Sequence, residues 1–389
     1  MIDLGDEFEI SGARILTPQG IRGDIAILVR DGTIAEIGPM SAESERPQLD
    51  AGDLLVAPGL VDLHGDAFER QIMPRPGVRF PLDLALAESD RQLVCNGITT
   101  AFHAVTYSWE PGLRSRESMS RLLEAMDRQG TNLACDTRLH LRFEVDNLEG
   151  LADGCQWLED GRIGLLAFND HTEHMRVKAA SDPEELLTYT QRTGLSVDGF
   201  RALLAEVWTR RPEVQGAVER LAQAGRAAAV PMLSHDDPCP KVRAYYHGLG
   251  AKIAEFPKTE ETARLARDND THVVMGSPNV VRGGSHTNAV TAADMVGKGL
   301  CSVLTSDYYY PAMLPAALIL ARDGVVPLAE AWNLIAGNPA EAAGMDDRGT
   351  LAPGKRADIL LIDDHDPATP MICATLVGGR VAYARDLAW

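Results

Sequence analysis

Ala57-Pro58-Gly59-Leu60-Val61-Asp62-Leu63-His64-Gly65-Asp66 is the stretch on which the reading of this chain turns. A short apolar run ends there in an imidazole and a carboxylate. Side chains of a strand alternate with period two, which predicts His64 and Asp66 on one side, where together they can hold one divalent ion. Taken alone, His-x-Asp is equally the polar end of any strand. The question is whether other strands end in the same chemistry.

They do. Strand-like runs at 56–63, 98–105, 137–144, 163–168, 228–234, 251–256, 272–276 and 301–306 alternate with helical segments, such as 115–129 with Met119, Leu122, Leu123 and Met126 at helical spacing. Eight strands with intervening helices predict an α/β chain built on a (β/α)8, TIM-like barrel, whose chemistry sits at the C-terminal ends of the strands. The first strand ends in His64 and Asp66, the third in Glu144, the fourth in His171, the fifth in His235 and the eighth in Asp307. Three imidazoles and three carboxylates converging on one mouth can hold two divalent ions, with Glu144 as the candidate bridge. Glu255, at the end of the sixth run, is a rival ligand to His171 or His235. His140 and Arg142 share a strand face with Glu144, so Arg142 either pairs with it or faces substrate. His103 reads as a packed strand residue, His174, His247 and His365 as loop residues, and His272 as the wrong end of its strand.

Two loops add cations. Met73-Pro74-Arg75-Pro76-Gly77 follows the first strand, and its prolines would fix Arg75 over the mouth. Asn279 to His286 follows the seventh strand. Its Arg282, the Gly283 and Gly284 amides, Ser285 and His286 make a plausible phosphate cradle, in the place where this fold often binds phosphate.

The composition bounds the rest. A chain of 389 residues, 45% of them apolar, suits one large barrel and an accessory unit. Its formal charge of −19 argues against nucleic acid and against anionic membranes, so an anionic substrate needs a local group of cations. Six cysteines without a Cys-x-x-Cys pair suggest neither a zinc knuckle nor a redox dithiol. With no basic leader and no apolar run long enough to span a bilayer, a soluble cytoplasmic protein is expected. Short strands at 1–55 recur in texture after residue 350, which predicts a β-sandwich built from both termini (1–55 and 350–389) beside a barrel of 56–349. Residues 181–226 read as a helical insertion able to cap the mouth.

The pattern resembles the amidohydrolase superfamily: a split β-sandwich, Ala57-Pro58-Gly59-Leu60-Val61-Asp62-Leu63-His64, Asp307, and Gly354-Lys355-Arg356-Ala357-Asp358. The usual His-x-His is His64-Gly65-Asp66 here. That departure is similar to the α-D-ribose 1-methylphosphonate 5-triphosphate diphosphatase family of the carbon–phosphorus lyase pathway. Further matches are Met73-Pro74-Arg75-Pro76, Gly97-Ile98-Thr99-Thr100, Arg138 to Glu144, Asp170-His171, Ser234 to Asp237, Ile253 to Pro257, Asn279 to His286 and Ser306 to Tyr309. Gly65 stands where that family often has Thr. The resemblance implies a metal-dependent hydrolase with two divalent ions (zinc, or manganese or iron) that splits a ribose 5-triphosphate into the 5-phosphate and pyrophosphate. It also implies that Asp307 both ligates and accepts the proton of the attacking water, while Arg75, Arg282 and the Gly283-Gly284 amides bind anionic oxygens. The expected partners are that phosphorylated ribose, a second copy in a homo-oligomer (a dimer) and other enzymes of the pathway. The alternatives are a superfamily hydrolase of a cyclic amide or aminated base, which needs no arginine cradle, and a silent scaffold, which need not keep a metal.

Overall fold

The computed structural model describes residues 4–12, 14–39, 46–284, 290–366 and 369–385. Its centre is a sheet of eight parallel strands in chain order: β1 (Leu60–Gly65), β2 (Ile98–Tyr107), β3 (Asp136–Glu144), β4 (Leu165–Asn169), β5 (Met232–His235), β6 (Ala251–Glu255), β7 (His272–Gly276) and β8 (Val303–Thr305). These are the eight runs expected, and with helices between them they form the (β/α)8 barrel. Val61, Phe102, Leu165, Leu233, Ile253 and Val303, from six different strands, share one buried cluster. The interior is therefore a packed core rather than a channel, with its polar layer confined to one end.

The seam between β8 and β1 is nearly closed. One parallel bridge joins Gly65 and Asp307. The Asp307 N–H donates to the His64 carbonyl and the Asp66 N–H to the Asp307 carbonyl, each at 2.9 Å. Buried Asp62 completes the seam: its carboxylate accepts from Thr305 Oγ1 at 2.6 Å, Ser306 N at 3.0 Å and Ser306 Oγ at 2.5 Å. Those five bonds fix His64, Asp66 and Asp307 relative to one another. They also explain Gly65, because a Cβ there would lie 2.8 Å from Asp62 Oδ2 and 2.9 Å from the Tyr310 ring. The pairing of β1 with β2 slips between Asp62 and Gly65, so simple alternation does not by itself orient His64 and Asp66.

The strands of the two chain ends meet. Leu55–Pro58 pairs antiparallel with Ile359–Asp363 in a six-stranded sheet, while Glu7–Ser11, Ile25–Arg30, Thr33–Pro39 and Gln48–Asp50 form a four-stranded one. Phe8, Ile10 and Ile27 from the second sheet pack with Ile15, Val56 and Ile359 from the first. The expected strand 56–63 is thus two strands. Val56 to Pro58 belong to the sheet of the termini, and the barrel begins after Gly59. A Cβ at Gly59 would fall 2.4 Å from Thr99 Oγ1, so only glycine lets the chain pass so close to β2.

The insertion also shifts. Helices Thr172–Ser181, Pro183–Thr193 and Val197–Thr209 enclose their own small core of Met175, Leu186, Tyr189, Phe200 and Leu204, against Trp109. Helix Val214–Ala227, by contrast, packs on the barrel through Val218 and Leu221. The insertion therefore spans 172–209 rather than 181–226. Helical periodicity runs through both parts, so the boundary between them is not visible in the pattern.

Candidate active site

Strand β3 shows how the polar layer is built. Leu139, Leu141 and Phe143 pack outward with Leu122 and Trp157, which turns His140, Arg142 and Glu144 inward. All three are buried. Glu255 at the end of β6 then takes two histidines at once. Its Oε1 lies 2.7 Å from His64 Nδ1 and its Oε2 lies 2.6 Å from His235 Nδ1. Glu144 does the same for His171, 2.7 Å from Nδ1, and also accepts the His171 backbone N–H at 3.3 Å. Imidazoles that give Nδ1–H to a carboxylate present Nε2 as the metal-binding nitrogen, with the ring direction fixed.

Potential ligand atoms of His64, Asp66 and Asp307 lie within 4.8 Å of one another, and so do those of His171, His235 and Asp236. A third such group, His64, His140 and Glu255, lies deeper and is wholly buried. There His140 Nδ1 faces the Leu63 carbonyl at 3.0 Å, and its Nε2 has no hydrogen-bond partner among the described residues. Nitrogen and carboxylate donors at these spacings fit a borderline divalent ion such as zinc.

The electrostatics of the protein without metal show how strongly these groups are coupled. Burial opposes protonation of His64, but Glu255 outweighs it and holds this imidazole above its ordinary value. Burial likewise opposes protonation of His171, yet Glu144 and Asp236 push it up to about 9. His235 goes the other way, down to about 4, because burial is reinforced by Arg142. Asp307 is pushed up to about 6, by burial first and then by Asp66 against the pull of His64. Asp236, Phe256 and Asp307, which directly follow β5 and β6 or lie two residues past β8, have φ of 62°, 52° and 54°. Non-glycine residues held in the left-handed region cluster where function demands a fixed side chain.

One cavity of about 320 Å³ joins these donors to cations. His64, Asp66, His235, Asp236 and Asp307 line it together with Arg142, Lys258 and Arg282. Phe256, Met275 and Tyr308 supply its apolar wall. Lys258 Nζ lies 2.7 Å from Asp236 Oδ2, and Arg282 Nη1 lies 3.4 Å from the Tyr308 hydroxyl. Two other cavities, beside Phe68 and Phe80 and beside Trp109, contain none of the metal-ligand candidates.

Of the residues nominated from sequence, His64, Asp66, His171, His235 and Asp307 come together in these groups. Glu144 stands one step back, bonded to His171, and the carboxylate that spans two histidines is Glu255. Arg282 and Gly284 line the cavity; Gly283, between them, has φ of 70°. Ser285 and His286 lie outside the described residues. Arg75 sits in an exposed turn bridged to Val78 and does not line the cavity. A rigid Pro-Arg-Pro fixes the local backbone but not the direction of the turn. Asp236 and Lys258 were not foreseen. Asp236 adjoins His235, where alternation points it away from the site, and only its left-handed backbone turns it back. Lys258 lies three residues past Glu255, in a loop without a strand's regular spacing.

A family model described as the amidohydrolase family matches residues 82–383. The chain is 33% identical over 339 residues to the α-D-ribose 1-methylphosphonate 5-triphosphate diphosphatase of Escherichia coli (strain K12), covering 84% of this chain and 88% of that one. It is 24% identical to the dihydroorotase of Geobacter sp. (strain M21), over 91% of this chain and 89% of that one. Among solved structures, N-acetylglucosamine-6-phosphate deacetylase from Pasteurella multocida superposes with a TM-score of 0.65 at 13% identity, covering 97% and 100% of the two chains. That likeness extends to the fold.

Proposed function

The chain belongs to the amidohydrolase family, and from that premise we propose that it is a divalent-metal-dependent hydrolase that cleaves α-D-ribose 1-methylphosphonate 5-triphosphate to the 5-phosphate and pyrophosphate. The observation that carries this reading is the lining of a single cavity by His64, Asp66, His235, Asp236 and Asp307 together with Arg142, Lys258 and Arg282. A site made for a neutral ring has no use for three cations, whereas a triphosphate needs them against a chain of net charge −19.

Two donor groups, His64 with Asp66 and Asp307, and His171 with His235 and Asp236, would hold the metal. Once bound, a divalent ion supplies Lewis-acid polarisation of a phosphoryl oxygen and a lower pKa for water. The chain does the rest. Glu255 and Glu144 orient the imidazoles. Asp307, set beside His64 and Asp66 at the end of the barrel, would accept the proton of the water that attacks the α-phosphorus. Lys258 and Arg282 neutralise charge on the departing pyrophosphate, since phosphoryl transfer is catalysed chiefly by positioning and charge. The test is a side-by-side assay of phosphate and pyrophosphate release from ribose and nucleoside triphosphates, with ring-opening and deamination of dihydroorotate and adenine as controls, in defined metals. Pyrophosphate from the ribose triphosphate supports the proposal. Turnover of a cyclic amide or aminated base alone would replace it with the hydrolase reading suggested by the dihydroorotase relative.

A further inference from the structure

We propose that Arg142 binds the phosphoryl oxygens at the reacting centre, deeper in the cavity than Arg282 and Lys258; this rests on the phosphorylated-substrate reading above. Three observations point to it. First, Arg142 rises from the middle of the polar layer, with 8% of its surface exposed, and lines the cavity. Second, it is under-engaged for so buried a cation. Its closest carboxylate, Asp66, is 3.6 Å away, beyond hydrogen-bond distance, and its Nε has no partner among the described residues. Glu144, two residues along the same strand, is not its partner, because His171 occupies that carboxylate.

The other deeply buried arginines show what a structural guanidinium looks like in this chain. Arg348 is bonded to Asp136 at 2.6 Å, Thr100 at 2.8 Å and Asp347 at 2.8 and 3.0 Å. Arg243 is held by Ser234 and by the carbonyls of Ala251 and Ile253. Both are anchored from several sides. Arg142 is anchored by one bond, Nη2 to His235 Nε2 at 3.1 Å.

That bond is the third observation. It uses the lone pair that His235 offers to a metal, so the N–H and the metal are alternatives on this atom. With a metal on His235, the Nη2 donor is left without this acceptor, beside Asp66 and at the floor of the cavity. A tetrahedral phosphate presents paired oxygens that match a guanidinium edge, which an ammonium cannot reproduce.

The test compares metal-loaded wild type with Arg142→Gln and Arg142→Lys by three readouts: metal per subunit, calorimetric affinity for inorganic tripolyphosphate, and kcat on a ribose 5-triphosphate. Wild type should bind tripolyphosphate. Arg142→Gln should keep its metal and melting temperature yet bind the anion about ten- to a hundred-fold more weakly, as expected for loss of a charge-assisted pair. Its kcat should fall by about a hundred-fold or more, the scale of losing one donor to a developing oxyanion. Arg142→Lys should recover part of the binding and less of the kcat. Loss of metal in both variants would make Arg142 a support for Asp66 and His235 and overturn the proposal. So would unchanged affinity for tripolyphosphate in Arg142→Gln, or no binding by wild type. If wild type binds tripolyphosphate through Arg142 but does not turn over the ribose triphosphate, the anion site stands and the proposed reaction falls.

Discussion

Replacing Glu255 by glutamine tests whether the metal site is organised from behind. The side chain is fully buried and holds His64 and His235 through bonds of 2.7 and 2.6 Å. A carboxylate accepts on both oxygens, so both imidazoles carry the proton on Nδ1 and present a lone pair on Nε2. Glutamine offers one acceptor and one NH2. One imidazole keeps its bond; the other faces a donor and must move its proton to Nε2 or rotate. Either response removes one ligand. Loss of such an outer partner typically costs ten- to a hundred-fold in metal affinity, or about 1.4–2.7 kcal/mol. The glutamine is almost isosteric, so the fold should persist. The assay is competition for zinc against a chromophoric chelator, with melting temperature as the control for folding. Zinc held as tightly as by wild type would refute the reasoning. Complete loss of binding would also refute it, by making Glu255 a ligand rather than a support.

Other outcomes follow from the same geometry. Asp66→Asn and Asp307→Asn should each lower metal content or abolish turnover with the fold intact, which metal analysis and circular dichroism would check; full activity in both would place the site elsewhere. Arg282→Ala should weaken a triphosphate substrate about ten- to a hundred-fold, with lysine a partial rescue, measured as kcat/KM beside unchanged metal content. His103 should make the fold acid-sensitive. Burial pushes its folded-state value down to about 4, so the unfolded chain takes up a proton first. The stability is whole above about pH 6.5 and is lost as pH falls towards 4, on the order of 2–3 kcal/mol by pH 4.5. Urea midpoints of chelated wild type and His103→Leu at pH 7 and pH 4.5 would show it; parallel losses in the two proteins would contradict it.

Much of this was legible before any coordinates. Strands of a buried parallel barrel are apolar runs that end abruptly in polar residues, so their number, their order and the residues at their mouths can be read directly. The pairing of the two chain ends was legible in strand texture. What was hidden depends on backbone details that leave little mark in a pattern. Gly59 divides one apolar run between two sheets because Thr99 is close, and no spacing reveals that. Asp236 enters the site through a left-handed residue that breaks alternation. Glu144 and Glu255 are both acidic strand ends, and only geometry shows that each reaches Nδ1 of a histidine. Arg75 failed for the converse reason: a stiff turn can carry an arginine away from a cavity as readily as over it.

The central claim is hydrolysis at the α-phosphorus of a ribose 5-triphosphate. It is tested most directly by phosphorus NMR of a single reaction run in ¹⁸O-enriched water with the metal-loaded protein. The account predicts pyrophosphate and the ribose 5-phosphate as products, with the solvent oxygen in the 5-phosphate. Orthophosphate as the first product, or the label in pyrophosphate, would contradict it.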